Sequence, residues 1–254
     1  MSFIEYNVVN ILLIIIVGIF CGFINTLAGS GSFISLPMLM FLGLPANVAN
    51  GTNRIGILFQ NIVSSSSFYK SKMLPLRFAF KMAVPSILGA LVGAKIAVDI
   101  DQKTMEQIIG IIMLVMLFFI FFKPRKWLKP HQESSQLIIK PWHYFIFFVI
   151  GIYGGFIQAG VGIFLLSALV LASEIDLVRA NAIKVFINLI FTPFAIIVFI
   201  INNQIDYVAG LILAIGNMIG AYIAAKSAIS FGVSYIRWLL VIIIAFSAFK
   251  LLLY

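Results

Sequence analysis

The chain carries one pattern twice, 131 positions apart, and each copy is set in a long apolar stretch. Ala28-Gly29-Ser30-Gly31 returns as Ala159-Gly160-Val161-Gly162, Phe33 as Phe164, and Ala49-Asn50 as Ala180-Asn181. The same step pairs Asn53 with Lys184 and Asn61 with Thr192. Glycine pairs and amides repeated inside nearly uncharged sequence leave few folds open. They describe a membrane protein of two related halves with polar groups at mirrored depths, which is the sequence pattern of a transporter.

Composition fixes the class independently. A soluble domain is about 45–50% apolar and about 25% charged. This chain is 63% apolar and 10% charged, with a mean hydropathy of +1.15, so it lacks the polar surface to face water on all sides. Its net charge of +9 sits in short loops between apolar segments, where membrane topology explains it and nucleic-acid binding is not required. The lone cysteine, Cys21, permits neither an intramolecular disulfide nor a thiolate metal cluster. The opening stretch contains Glu5 and no basic lead-in, so it reads as a first membrane segment and not as a cleaved signal peptide.

Roughly ten apolar segments follow one another: 8–27, 32–44, 49–69, 78–98, 105–122, 142–159, 162–173, 179–201, 207–225 and 235–253. A spanning helix needs about 20 residues. Segments 32–44 and 162–173 are too short, and each follows its glycine element with no polar loop between. Each is expected to be the second limb of a broken or re-entrant hairpin, because non-helical backbone at membrane depth is tolerated only where protein or a cavity surrounds it. The expected fold is an all-α polytopic membrane protein of two inverted repeats. Each repeat holds one such hairpin plus three transmembrane helices, about 8–10 membrane segments in all. The N-terminal repeat is expected over 1–122, a cytoplasmic loop over 123–141, and the C-terminal repeat over 142–254. Small residues recur at helical spacing in both halves, Gly89-x-x-x-Gly93 and Gly216-x-x-x-Gly220, a local offset of 127. Such spacing lets helix backbones approach closely.

Loop charge decides the relative orientation of the halves. Lys70, Lys72, Arg77 and Lys81 follow segment 49–69, whereas the matching connection after 179–201 carries only Asp206. The next loop holds Lys95 and Lys103 against Asp99, Asp101 and Glu106, and its mate holds Lys226 and Arg237 with no acid. Equivalent loops with opposite bias belong on opposite sides of the membrane. The repeats are therefore expected to be inverted, with 70–81, 123–141 and 226–237 in the cytoplasm and both termini outside.

The polar residues mark a candidate site. Asn50, Asn53, Ile57 and Asn61 fall on one helical face with Arg54 beside it, and the mates are Asn181, Lys184, Asn188 and Thr192. Amides and cations at membrane depth are costly unless they pair or line a polar path. In this register Asn53 stands against Lys184, which leaves the positive charge mainly on one half. The glycines at 29, 31, 160 and 162 break their helices and turn N–H groups inward, where half-helix ends attract anions. Ser30 and Ser32 offer hydroxyls, and Asn25 and Gln158 offer amides just before the breaks. The alternatives stay open: such amides can simply hold helices together, such glycines can serve close packing alone, and Arg54 and Lys184 can snorkel to an interface.

The acids Glu5, Asp99, Asp101, Glu106, Glu133, Glu174, Asp176 and Asp206 all fall near segment ends or in loops. No mid-membrane carboxylate is available for a cation or a proton relay, so the donor-rich interior favours an anion. His131 and His143 lie in or beside one loop. With no paired carboxylates, metal-ligand cluster or Ser-His-Asp set, neither enzymatic catalysis nor a metal or cofactor is expected.

The residues that carry these features also resemble a known family. GFINTLAGSGSFISLPMLMFLGLPANVANGTNR, with GGFIQAGVGIFLL and VRANAIK in the second half, is similar to the paired motifs of sulfite exporter TauE/SafE-like permeases. The resemblance implies a multi-pass permease of the bacterial inner membrane for small anions such as sulfite, organosulfonates or related sulfur-containing or carboxylate anions. It implies functional positions at Asn25, Gly29, Gly31, Asn50, Asn53, Gly160, Gly162, Asn181 and Lys184. Ser30-Gly31-Ser32 departs from the more glycine-rich family pattern. Expected partners are a small anion and the lipid bilayer, not nucleic acid, and a homo-oligomer stays open. A passive anion channel and a non-transporting structural or assembly protein are the alternative functions.

Overall fold

The computed structural model describes residues 4–121, 139–172, 175 and 177–227. The segment expected over 235–253 and most of the 123–141 loop lie outside the described residues. Within them the chain is helical: α1 (Val8–Ala28), α2 (Ser32–Phe41), α3 (Ala46–Lys70), α4 (Leu76–Asp99), α5 (Gln102–Phe121), α6 (Pro141–Phe156), α7 (Val161–Ser167) extended by a π-helical stretch (Ala168–Ala172), α8 (Leu177–Ile201) and α9 (Tyr207–Ser227). In lipid every backbone polar group must be satisfied within the protein, which is why long apolar runs become helices.

Among the described residues, α1, α4, α8 and α9 are long and apolar enough to cross a membrane by length and composition. The 25-residue α3 is long enough but polar, and its polar positions face inward: Asn50, Asn53, Arg54 and Asn61 are fully buried. Apolar side chains cover the outside instead, among them Leu12, Ile16 and Phe20 on α1, Leu88 and Val92 on α4, and Leu211, Ile215 and Ile219 on α9. An apolar exterior around a polar interior identifies lipid as the outer solvent.

Both expected breaks are present. α1 stops at Gly29, whose φ of 77° is left-handed and whose N–H bonds back to Asn25 and Ile24. α6 stops at Phe156, four residues before Gly160, which has a φ of 78° and starts α7. The second limbs are short. The α2 helix has 10 residues, and α7 has 7 before its π-helical extension. At about 1.5 Å per residue neither limb crosses a bilayer by itself.

The expected small-residue contacts form between the halves. Gly216 lies against Ile15 and Gly18, and Gly220 against Ile19 and Phe23, so α9 packs alongside α1 in the same direction. Gly89 lies against Phe148, and Gly93 against Ile152 and Phe156, so α4 packs alongside α6 in the same direction. The exchange is reciprocal: the first helix of each half pairs with the late helix of the other. α3 also follows α9, with Ile55 at Gly210 and Leu213 at Gly56. Five-residue connections turn α3 into α4 and α8 into α9. Consequently α1, α3 and α9 run one way and α4, α6 and α8 run the other.

The connection after α8 is tied to the start of the chain. Asp206 caps α9 by accepting from the Ala209 N–H at 3.0 Å, its own N–H donates to Thr52 Oγ1 at 2.8 Å, and the Tyr6 hydroxyl donates to its carboxylate at 2.6 Å. Burial and then the Asp206 hydrogen bond push the Tyr6 hydroxyl well above the usual phenol range, so it stays a donor.

Candidate functional site

The two breaks meet. A Cβ built on Gly29 would strike the backbone of Gly162, and one built on Gly162 would strike Gly29. The contact is level with the middle of α3, because the residues flanking the breaks bond to Gln60 and Arg54 of that 25-residue helix.

Around this contact each half closes the broken helix of the other. Arg54 on α3 reaches the C-terminal end of α6. Its Nη1 donates to the Gly154 carbonyl at 2.9 Å and to Gln158 Oε1 at 3.0 Å. Its Nη2 donates to the Gly155 carbonyl at 2.7 Å, the Phe156 carbonyl at 3.2 Å and Asn50 Oδ1 at 3.3 Å. Asn50 Nδ2 donates to the Phe156 carbonyl at 2.8 Å. Lys184 on α8 does the same for α1: Nζ donates to the Asn25 carbonyl at 2.9 Å, the Thr26 carbonyl at 3.0 Å and Asn181 Oδ1 at 2.7 Å. Asn181 Nδ2 adds a bond to the Leu27 carbonyl at 3.2 Å. A helix ends in carbonyls with no intrahelical donor and with a negative dipole end, so a cation is the fitting partner there.

This arrangement closes one alternative and corrects one sequence expectation. Arg54 is fully buried and Lys184 is 1% exposed, so neither snorkels to an interface. Positive charge is present in both halves. The working mate of Lys184 is Arg54, one position along from Asn53, and the longer guanidinium covers the difference.

The remaining expected residues divide into two groups. Those at the breaks are occupied by internal bonds. Asn25 Oδ1 accepts from the Gly31 N–H at 2.9 Å, and its Nδ2 reaches Ser32 Oγ at 3.4 Å and Gln60 Oε1 at 3.3 Å. Gln158 Nε2 donates to Thr192 at 3.0 Å. Ser30 and Ser32 are buried in the first break. The second group has spare capacity. Asn53 accepts from Ser35 at 2.6 Å, but its Nδ2 has no partner among the described residues. Both polar atoms of the Asn61 side chain and the Oδ1 of Asn188 are also unpartnered. Leaving a buried polar atom unpaired costs about 1–3 kcal/mol, which makes these atoms the candidates for contact with a hydrogen-bonding molecule.

Sequence reasoning missed Gln60, Ser35 and Asn217. Gln60 and Ser35 sit one position outside, or one helix away from, the polar stripe. Asn217 is 1% exposed, and both of its side-chain polar atoms have no partner among the described residues; it lies inside the second Gly-x-x-x-Gly, where the spacing pointed to packing alone. Among the described residues no group of His, Cys, Asp and Glu is arranged to hold a metal ion.

Comparison with known proteins agrees with this architecture. The family model described as "Sulfite exporter TauE/SafE" matches residues 14–251. A probable membrane transporter protein, ORF9, of Sinorhizobium sp is 26% identical over 91% of this chain and 88% of its own length. A probable membrane transporter protein of Haemophilus influenzae is 25% identical over 89% of this chain and 88% of its own. The probable membrane transporter protein YfcA of Escherichia coli K12 is 24% identical over 93% and 87%. No solved structure matches the chain. A match across nearly the whole length, to relatives that bear transporter names, makes this chain a membrane transporter and a member of the sulfite exporter TauE/SafE family.

Proposed function

We propose that this transporter exports small anions such as sulfite, organosulfonates or related sulfur-containing or carboxylate anions across the bacterial inner membrane, by alternating access between two inverted repeats. The observation that carries the reading is the mid-bundle meeting of the two helix breaks, beside buried amides with spare donors and without a carboxylate. Asn53 and Asn61 supply neutral N–H donors. Arg54 and Lys184 stand behind them, committed to helix ends, and give the interior a positive potential without a direct ion pair. A neutral first contact with a cationic background holds an anion and still releases it. The described acids, Glu5, Asp99, Asp101, Glu106 and Asp206, are at helix ends or in connections, so none repels the anion inside. Opposite helix directions in the two halves support inversion, and an anion leaving the cell gains about 2.3 kcal/mol per charge per 100 mV.

Purified protein in liposomes loaded with sulfite is expected to give saturable efflux and counterflow. A passive channel gives flux without counterflow, a structural protein gives none, and either result overturns the proposal.

Single cysteines test the inversion. With Cys21 replaced by alanine, cysteines introduced at Lys72 and Asn203 are expected to react from opposite sides of the membrane, Lys72 from the cytoplasm. Both positions are exposed turn residues, so a cysteine there is open to a water-soluble reagent. Labelling of both from one side refutes the arrangement.

A further inference from the structure

We infer that Asn217, with the Asn53 amide, forms an oxyanion-binding notch between α1, α3 and α9 of this transporter, a specificity determinant confined to one half of the molecule; the inference rests on the anion-transport reading above. Asn217 sits where three helices converge. Its backbone lies against Gly22 of α1, and its Nδ2 stands beside Gly56 of α3, 2.7 Å from where a Cβ would be. Gly56 is one helical turn from Asn53 and one from Gln60, and Gln60 bonds to Asn25 at 3.3 Å. The notch therefore adjoins the first helix break. Asn217 and Asn53 are buried at 1% and 0% exposure, and the Nδ2 atoms of both have no partner among the described residues.

The other half shows that packing does not require this amide. By the repeat offsets, Gly56, Gln60 and Asn217 correspond to Ile187, Phe191 and Ala90, and all three belong to one buried apolar cluster. The backbone contact is the same in both places: Gly22 meets the Asn217 carbonyl as Gly155 meets that of Ala90. One half fills the space with isoleucine and phenylalanine. The other has glycine there and fills the space with the Asn217 amide, which has no hydrogen-bond partner among the described residues. A buried amide left unpaired is costly, and a ligand that accepts hydrogen bonds offsets that cost. The two N–H groups of Asn217 and the two of Asn53 suit the oxygens of a small oxyanion, and Asn217 Oδ1 suits a water carried with it. Gly56 supplies the room for the Asn217 amide itself: a Cβ there would lie 2.7 Å from Asn217 Nδ2 and 3.0 Å from the Leu213 side chain.

The test uses the full chain in liposomes with sulfite as the probe, and its melting temperature with and without sulfite. Asn217→Leu removes the amide at nearly constant shape. If the amide served folding, this change would destabilise the protein. If it serves a ligand, the apoprotein is as stable as the wild type or more so, because an unpaired polar group has been replaced by an apolar one. The expected result is an unchanged or higher melting temperature without sulfite, loss of the sulfite-induced shift, and efflux lowered about tenfold or more. Asn217→Asp, closer still in shape, is expected to lose efflux as well, through its negative charge. Wild-type efflux with undiminished efflux in folded Asn217→Leu and Asn217→Asp overturns the notch and leaves the transport reading standing. Absence of sulfite efflux and of any sulfite-induced shift in the wild type overturns the transport reading, and the notch with it.

Discussion

Arg54→Leu is expected to destabilise the protein by about 3–5 kcal/mol, among the largest effects a single substitution produces. Arg54 is fully buried, donates to the carbonyls of Gly154, Gly155 and Phe156, and lies 4.6 Å from the centre of the Phe199 ring. A leucine restores the volume but abandons the Gly154 and Gly155 carbonyls and the oxygens of Asn50 and Gln158, while the Phe156 carbonyl keeps the Asn50 donor. Each unpaired acceptor costs about 1–3 kcal/mol before relaxation. The helix-end charge interaction, about 0.3–2 kcal/mol, is lost as well. Arg54→Lys is expected to recover only part of this, because one ammonium keeps the charge but cannot fork across three successive carbonyls. Thermal unfolding in detergent checks both changes, and an unaltered midpoint for Arg54→Leu would show that the reciprocal caps do not hold the halves together. The same changes are expected to stop transport, because the cap fixes one limb of the second break.

Gly29→Ala is expected to cost about 3 kcal/mol or more, from two causes that can be separated. The φ of 77° penalises any L side chain by about 1–2 kcal/mol. In addition, the new methyl would lie 2.5 Å from the Cα of Gly162, and backbone on both sides leaves it nowhere to go. Gly162→Ala meets only the collision, since Gly162 is an ordinary helical residue of α7. The expected order of melting temperature is wild type, then Gly162→Ala, then Gly29→Ala, with transport impaired in both variants because the hairpin tips are forced apart. Equal stability of Gly29→Ala and wild type would mean that the tips are not in contact in the membrane.

Much of the fold was legible because lipid leaves a chain few choices. Apolar runs must become helices, so α1, α4, α8 and α9 fall close to the expected segments. Gly29 and Gly160 announced the breaks because only glycine readily takes their left-handed backbone. The Gly-x-x-x-Gly spacings announced close contacts, and the glycines do meet backbone. The spacing did not say which helix each would meet, and the answer joins helices from different halves. The α2 and α7 limbs were recognised by their length, too short for a bilayer.

The polar residues were found but not sorted. Asn50, Asn53, Arg54 and Asn61 look alike along one helix, yet Asn50 and both Nη atoms of Arg54 are spent mainly on the end of α6, leaving only the Arg54 Nε over, while the amide nitrogens of Asn53 and Asn61 have no partner among the described residues. Pairing Asn53 with Lys184 followed the repeat register and misassigned the cation, because a long side chain reaches its partner from one position away. Asn217 was hidden within a packing motif.

The sequence by itself determined the solvent, the two related halves, the places where helices break and the faces that carry polar groups, since these follow from hydropathy, glycine and helical spacing along a single strand of chain. Only the tertiary structure decided which of those polar groups are spent on the protein and which are left over. That allocation depends on where each broken helix presents its unpaired carbonyls to the other half, a juxtaposition between residues more than a hundred positions apart that local sequence does not encode.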